Sequence, residues 1–76
     1  MSRYIIIMYT DITGEEQIAK VSNLLKSFED IDEWTIDFLD SDKVLRISSK
    51  SQVEEKISFS LDQIGIKALP VAIFPY

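Results

Sequence analysis

The chain has 76 residues, a formal net charge of −5 and 46% hydrophobic residues, which predicts one folded domain spanning residues 1–76. It contains neither cysteine nor histidine, which excludes disulfides, thiolate and imidazole metal sites, and cysteine or histidine nucleophiles. The acidic balance argues against nucleic acid and anionic membranes as partners, and no apolar run approaches the roughly 20 residues of a membrane span.

The first two predicted elements are a strand and a capped helix. The strand runs from Tyr4 to Tyr9, where β-branched and aromatic residues dominate. Because polar residues follow it, and not a cleavage site of small residues, we expect a cytoplasmic location. Thr13 is predicted to cap the helix, with Glu16 as its capping-box partner. The apolar face of this helix consists of Ile18, Val21, Leu24, Leu25 and Phe28.

The middle of the chain predicts a β-hairpin. Its first strand covers 34–40 and alternates, with Trp34, Ile36 and Phe38 on the inward side. Ser41 and Asp42 form the turn. The second strand covers 43–48.

The last two predicted elements are a second helix and an edge strand. Ser51 and Glu54 repeat the capping-box spacing, and Gly65 stands where a helix-ending residue with positive φ belongs. Pro70 lacks a backbone donor, so the final strand, 68–74, is predicted to lie at a sheet edge or to begin near Pro70. The apolar face of the second helix consists of Val53, Ile57, Leu61 and Ile64.

The order β-α-β-β-α-β predicts an α+β fold, in which two helices cover one face of a four-stranded antiparallel sheet. Right-handed crossovers make this arrangement the ferredoxin-like βαββαβ sandwich.

One sheet face of such a sandwich has no helices on it. If Ile5, Ile7 and Tyr9 face the helices, the opposite face carries the residues Tyr4, Ile6, Met8, Leu39 and Val44. So much apolar surface predicts a cover, either the C-terminal segment 74–76 or another chain, for example in a homodimer. Phe59 lies off the helical stripe and is predicted to be a lone exposed aromatic residue.

Four short segments resemble the heavy-metal-associated domain of copper chaperones and metal-pumping ATPases. That family has a first loop of the form Met-Thr-Cys-x-x-Cys, and here the corresponding run is Ile12, Thr13, Gly14, Glu15, Glu16, Gln17. The helix continues at the family spacing with Ile18, Val21, Leu24 and Leu25. The next strand supplies Ile31, Trp34, Ile36 and Phe38, and the family's late Gly-Tyr-x-Ala is matched by Gly65, Ile66, Lys67 and Ala68. The resemblance covers about residues 4 to 73 and implies the ferredoxin-like fold.

The resemblance does not extend to the metal ligands. Gly14 and Gln17 occupy the positions of the two cysteines, and neither offers the thiolate that Cu(I) requires. No metal or cofactor is therefore expected. What the resemblance still implies is a docking edge for an unknown protein partner, made of the loop residues Thr13, Gly14, Glu15, Glu16 and Gln17 with Ile66 and Lys67.

Acidic residues raise two further possibilities. Asp11, Glu15 and Glu16 could hold a hard cation through oxygen, although acids in a first helical turn also complement the helix dipole. The base-free acidic stretch 29–42 is either a solvated edge or a docking patch for a basic partner.

No arrangement in the sequence places a base beside a nucleophile, so we do not expect an enzyme. The leading hypothesis is a non-catalytic interaction module that has lost the thiolate site and has a possible link to metal homeostasis. The alternatives are a small dimeric regulatory or ligand-binding ferredoxin-like domain, and residual metal binding through oxygen ligands.

Overall fold

The computed structural model describes residues 3–76, so the first two residues of the predicted 1–76 domain lie outside the described part. The elements are β1 (Tyr4–Thr10), α1 (Glu15–Leu25), β2 (Ile31–Asp37), β3 (Val44–Ser49), α2 (Glu54–Gln63) and β4 (Ala68–Pro75). The four strands form one antiparallel sheet in the order β2-β3-β1-β4. This order confirms the predicted ferredoxin-like βαββαβ arrangement.

The hydrophobic core lies between the sheet and the two helices. Val21 and Leu25 of α1 and Ile57 and Leu61 of α2 are buried, as both predicted helical stripes require. Phe28, predicted for the first stripe, lies beyond the end of α1 at Leu25 but still packs against the core. Trp34, Ile36 and Phe38 pack against the same core, as the alternation of the hairpin predicted. The other fully buried apolar side chains are Ile6, Met8, Ile12, Leu45, Ile47 and Ile66.

The two faces of β1 are the reverse of the sequence prediction. Ile6 and Met8 are 0% exposed and belong to the core. Tyr4 alternates onto the same side and is half-buried, whereas Ile5 and Ile7 point away from the helices. The prediction that Tyr4, Ile6 and Met8 form an open contact face is therefore wrong.

The neighbouring strand explains which side of β1 is buried. Six apolar residues in succession carry no alternation, so β1 alone does not define its inward side. In the register of β1 with β3, Ile6 lies opposite Ile47 and Ile7 lies opposite Arg46. Placing Arg46 in the core would bury an unpaired charge, at far greater cost than exposing Ile7.

Both helices begin without the predicted side-chain caps. The N-cap of α1 is Gly14, one residue later than predicted, and it has no side-chain cap. The Thr13 amide and hydroxyl both donate to Oε1 of Gln17, and the hydroxyl bond is 3.0 Å long. Gln17 therefore takes the part that the capping-box prediction assigned to Glu16.

The start of α2 also differs from its prediction. Its N-cap is Val53, again without a side-chain cap. Ser51 donates its hydroxyl hydrogen instead to Oδ2 of Asp30, in the segment before β2. The Ser51–Glu54 spacing is thus a coincidence of sequence, because Ser51 ties the start of α2 to β2.

The C-terminal end of α2 follows the prediction. Gly65 has φ +84, and its amide donates to the carbonyl of Asp62 at 3.0 Å. The next amide, of Ile66, donates to the carbonyl of Leu61 at 3.0 Å. These two bonds form a Schellman motif, which requires a left-handed residue at the glycine position.

The β2–β3 hairpin has a longer loop than the sequence predicts. β2 ends at Asp37 rather than Asp40, and the loop places Lys43 at φ 47. The carboxylates of Asp37 and Asp40 accept the amides of Leu39 and Asp42 at 3.1 and 2.8 Å. Leu39 is 99% exposed in this loop, so its predicted place on the sheet face is wrong.

The strand β4 lies at one edge of the sheet, as Pro70 predicted. The backbone of Tyr76 exchanges two hydrogen bonds with Arg3 of the neighbouring segment. Because backbone groups of successive residues in an antiparallel strand point to opposite sides, the backbone nitrogen of Pro75 faces the free edge of the sheet. The backbone nitrogen of Pro70 faces the same free edge, beyond the β-bulge at Val71. Two prolines therefore remove amide donors from the edge at which another strand would pair.

Candidate interaction surfaces

The sheet surface opposite the helices, here called the open face, is apolar along β1 and β4. Tyr9 pairs with Leu69, and Ile5 pairs with Phe74. Leu69 is 63% exposed and Phe74 is 56% exposed. We call the group Ile5, Ile7, Tyr9, Leu69 and Phe74 the apolar patch. The β1 residues of this patch replace those predicted for the open face. Val44 was also predicted for this face and does lie on it, because the adjacent residue in β3, Leu45, is buried on the other side.

The other half of the open face is charged. Arg46 on β3 is exposed and lies opposite Thr35 of β2. Glu33 and Asp37 lie on the same side of β2, each two residues from Thr35. The open face therefore has an apolar half along β1 and β4 and a charged half along β2 and β3.

The last residue of the sequence covers one end of the open face. The hydroxyl groups of Tyr76 and Ser48 lie 2.7 Å apart, so the Tyr76 ring crosses β1 to reach β3. Ser48 is buried as a result. At the opposite end, Tyr9 and Leu69 are exposed among the described residues, so the predicted C-terminal cover is partial.

The predicted docking edge is assembled only in part. The Asp11 amide donates to the carbonyl of Lys67 at 3.2 Å, and the Lys67 amide donates to Oδ1 of Asp11 at 2.9 Å. These bonds hold the first loop beside the segment that follows α2. Ile66, however, is 1% exposed, so its predicted contact with a partner is wrong. Its side chain belongs to the core, and Lys67 is the exposed residue of the pair.

The two former ligand positions lie in the first turn of α1 and just before it. Gly14 has an extended backbone with φ −168 and no side chain. The side-chain oxygen of Gln17 is already occupied by the Thr13 amide and hydroxyl. Within residues 3–76, no three acidic side chains come close enough together to hold a metal ion, and Asp11, Glu15 and Glu16 therefore form no such group.

Much of the acidic stretch 29–42 serves local structure. Asp32 forms an ion pair with Arg3, and Asp30 accepts the Ser51 hydroxyl. Asp37 and Asp40 accept loop amides in the β2–β3 hairpin. These contacts support the interpretation of the stretch as a solvated edge over that of a docking patch.

The structure has a groove that was not predicted from the sequence. It lies between α2 and the start of β4, and it extends around the β4 edge of the sheet to the end of β1. Its volume is about 830 Å³. Phe59, predicted to be a lone exposed aromatic residue, forms part of its wall together with Tyr9 and Leu69. Its α2 lining residues share one helical face, but that spacing alone does not predict a groove: they are Glu54, Glu55, Ser58, Phe59 and Asp62.

In comparisons with known proteins, no family model and no curated protein matches this chain. The resemblance to the heavy-metal-associated domain therefore stays a prediction. Neither helix in the described part of the chain is long and apolar enough to cross a membrane.

Proposed function

We propose that this chain is a non-catalytic interaction module that associates with a second copy of itself through the apolar patch. The observation that carries the proposal is the exposure of Leu69 and Phe74, which are 63% and 56% accessible on a face with no helix over it. Exposed apolar surface costs about 25 cal/mol per Å² relative to burial, so covering the patch is favourable. Continuous apolar patches of this kind commonly mark contact sites.

The size of the patch supports a homodimer of modest affinity. Two patches facing each other would bury on the order of 1,000 Å² in total, which is near the lower limit for specific interfaces. A second copy offers the same apolar group in return, as an isologous interface requires. Pairing along the edge of β4 is disfavoured, since Pro70 and Pro75 remove donors there.

The first loop supports a role without metal chemistry. Gly14 offers no ligand atom, and the Gln17 amide is tied to Thr13. We therefore propose a scaffold like that of the heavy-metal-associated domain which functions by protein contact in the cytoplasm. The exposed loop residues Thr13, Glu15 and Glu16 and the nearby Lys67 remain available as a second contact edge.

Light scattering over a range of protein concentrations tests the proposal. We expect the wild-type mass to rise toward that of a dimer, and Leu69→Asp to keep the chain monomeric by placing a charge in the interface. Leu39→Asp is the matched control, because Leu39 is an even more exposed leucine, lies in the β2–β3 loop outside the patch and should leave the dimer intact. A wild-type chain that stays monomeric at every concentration would rule out the homodimer.

A further inference from the structure

The groove between α2 and β4, here called the α2–β4 groove, combines apolar walls with negative charge. Phe59 is 67% exposed in the groove wall. Tyr9 and Leu69 line its far end, where it reaches the open face. A bulky apolar side chain entering here would pack against Phe59 at the β4 edge of the sheet.

The charges that line the α2–β4 groove are strongly unbalanced. Asp11, Glu54, Glu55 and Asp62 contribute carboxylates, and Lys67 is the single basic residue among the lining side chains. Within residues 3–76 the one ion pair joins Arg3 to Asp32, so none of these four carboxylates has a cationic partner. Such a surface attracts a cation and repels a second acidic copy of this chain.

One carboxylate in the α2–β4 groove lacks a hydrogen-bond donor. Oε2 of Glu54 is shielded from solvent and has no partner among the described residues. A buried acceptor without a donor is costly, and a charged donor is its most favourable partner. An ammonium or guanidinium group brought into the groove would provide that donor once the Glu54 side chain turns to expose Oε2.

The backbone at the groove favours recognition through side chains. The Ala68 carbonyl already accepts the Ser58 hydroxyl at 2.6 Å, and Pro70 has no amide hydrogen. An incoming strand therefore finds few free main-chain groups at this part of the β4 edge. What the groove offers is an apolar wall for an anchoring residue and carboxylates for its basic neighbours.

From these observations we infer that the α2–β4 groove binds a basic peptide segment of a partner protein, with a bulky apolar residue against Phe59 and a lysine or arginine beside Glu54. The open shape of the groove suits a peptide better than an enclosed small molecule. The inference does not depend on the proposed homodimer. Tyr9 and Leu69 border both surfaces, but Phe59 lies only in the groove and Phe74 only in the apolar patch.

Fluorescence anisotropy with the 76-residue chain tests the inference directly. The probe is a labelled ten-residue peptide in which leucine alternates with arginine, and its control carries glutamate in place of arginine. We expect saturable binding of the arginine peptide alone. Phe59→Ser and Glu54→Gln should each weaken binding by about tenfold, the loss typical of an anchor residue or of a charged hydrogen bond.

Two matched variants separate the groove from general attraction to an acidic protein. Phe74→Ser removes an exposed phenylalanine from the apolar patch, and Glu33→Gln removes a glutamate from β2 at the far edge of the sheet. Both should bind the peptide like the wild type, whereas Phe74→Ser should weaken the homodimer and Phe59→Ser should not. Circular dichroism checks that every variant is folded.

Three outcomes would overturn the inference. They are equal loss of binding in Phe59→Ser and Phe74→Ser, equal loss in Glu54→Gln and Glu33→Gln, and binding of the glutamate peptide as tight as that of the arginine peptide. Amide chemical shifts that move outside residues 9–11, 54–62 and 67–70 would contradict it as well. A monomeric wild type that still binds the peptide would contradict the proposed homodimer alone.

Discussion

The hydroxyl groups of Tyr76 and Ser48 lie 2.7 Å apart, although Tyr76 follows β4 and Ser48 lies in β3, the two strands that flank β1. The Tyr76 side chain therefore crosses the open face and ties the last residue of the sequence to β3. Its backbone adds to the tie, since the Tyr76 amide donates to the Arg3 carbonyl at 2.8 Å. These bonds close one end of the sheet and leave the Tyr9 end of the apolar patch open.

Tyr76→Phe removes the side-chain bond and keeps the ring. Because the Ser48 hydroxyl is buried and would lose its partner, we expect a loss of about 1 kcal/mol in the free energy of unfolding. In a domain of this size, that loss lowers the melting temperature by about 4–8 °C. Tyr9→Phe is the control, since Tyr9 forms no side-chain hydrogen bond within residues 3–76 and is exposed. Equal melting temperatures for Tyr76→Phe and the wild type would show that the bond contributes nothing.

The inward side of β1 can be tested with two adjacent residues. Met8→Ala leaves a cavity in the core and should cost about 2–5 kcal/mol in the free energy of unfolding. Ile7→Ala removes a half-buried side chain from the open face and should cost clearly less. Urea unfolding of the two variants gives both values. A larger loss for Ile7→Ala would mean that the two faces of β1 are reversed.

The parts of the fold that followed from the sequence are those with a local cause. The stripe of Val21 and Leu25 repeats at helical spacing, and Gly65 ends α2 because a left-handed residue is needed there. The inward side of β1 could not be predicted from β1 itself, because its apolar run is unbroken. Arg46 of β3, distant in sequence, lies opposite Ile7 and has to face solvent, so Ile7 faces solvent with it. The start of α1 was predicted one residue too early, at Thr13. The sequence offers two capping partners one residue apart, Glu16 and Gln17, and does not decide between them.

The candidate surfaces were harder to predict than the elements. The α2–β4 groove joins residues 9–11 to residues 54–62, and no periodicity within either segment reports their contact. Phe59 could be recognised as exposed but not as a wall of a groove. The sequence predicted an apolar sheet face without helices, and the structure has one. The β1 residues predicted for that face were wrong, because the inward side of β1 was reversed.

The two glycines should respond in opposite directions to the same substitution. Gly65→Ser forces a side chain into φ +84, at a cost of about 1–2 kcal/mol in the free energy of unfolding. Among residues 3–76, nothing beyond the glycine itself and its two chain neighbours lies within 4 Å of the Cβ position that the substitution adds, so this cost is one of backbone conformation and not of packing.

Gly14→Ser is the companion experiment. Gly14 is an N-cap with an extended backbone, which serine adopts freely. In the described part of the chain, its Cβ would also meet nothing within 4 Å beyond its own residue and its chain neighbours. The serine hydroxyl can accept an amide from the first turn of α1, and the unfolded chain loses freedom. We expect a gain of about 0.5 kcal/mol in the free energy of unfolding. Thermal unfolding of both variants measures the pair, and destabilisation by Gly14→Ser would contradict the N-cap assignment.

The proposed homodimer should strengthen with salt. Each copy carries a net charge of −5, so two copies repel one another over distances longer than the apolar contact itself. At an ionic strength of about 0.15 M the Debye length falls to about 8 Å, which screens this repulsion while leaving the burial of Leu69 and Phe74 unaffected. Sedimentation equilibrium at low and at about 0.15 M ionic strength should therefore give a smaller dissociation constant at the higher value. An interface held by ion pairs between Arg46 and the acids of β2 would show the reverse, and that result would move the contact from the apolar half of the open face to its charged half.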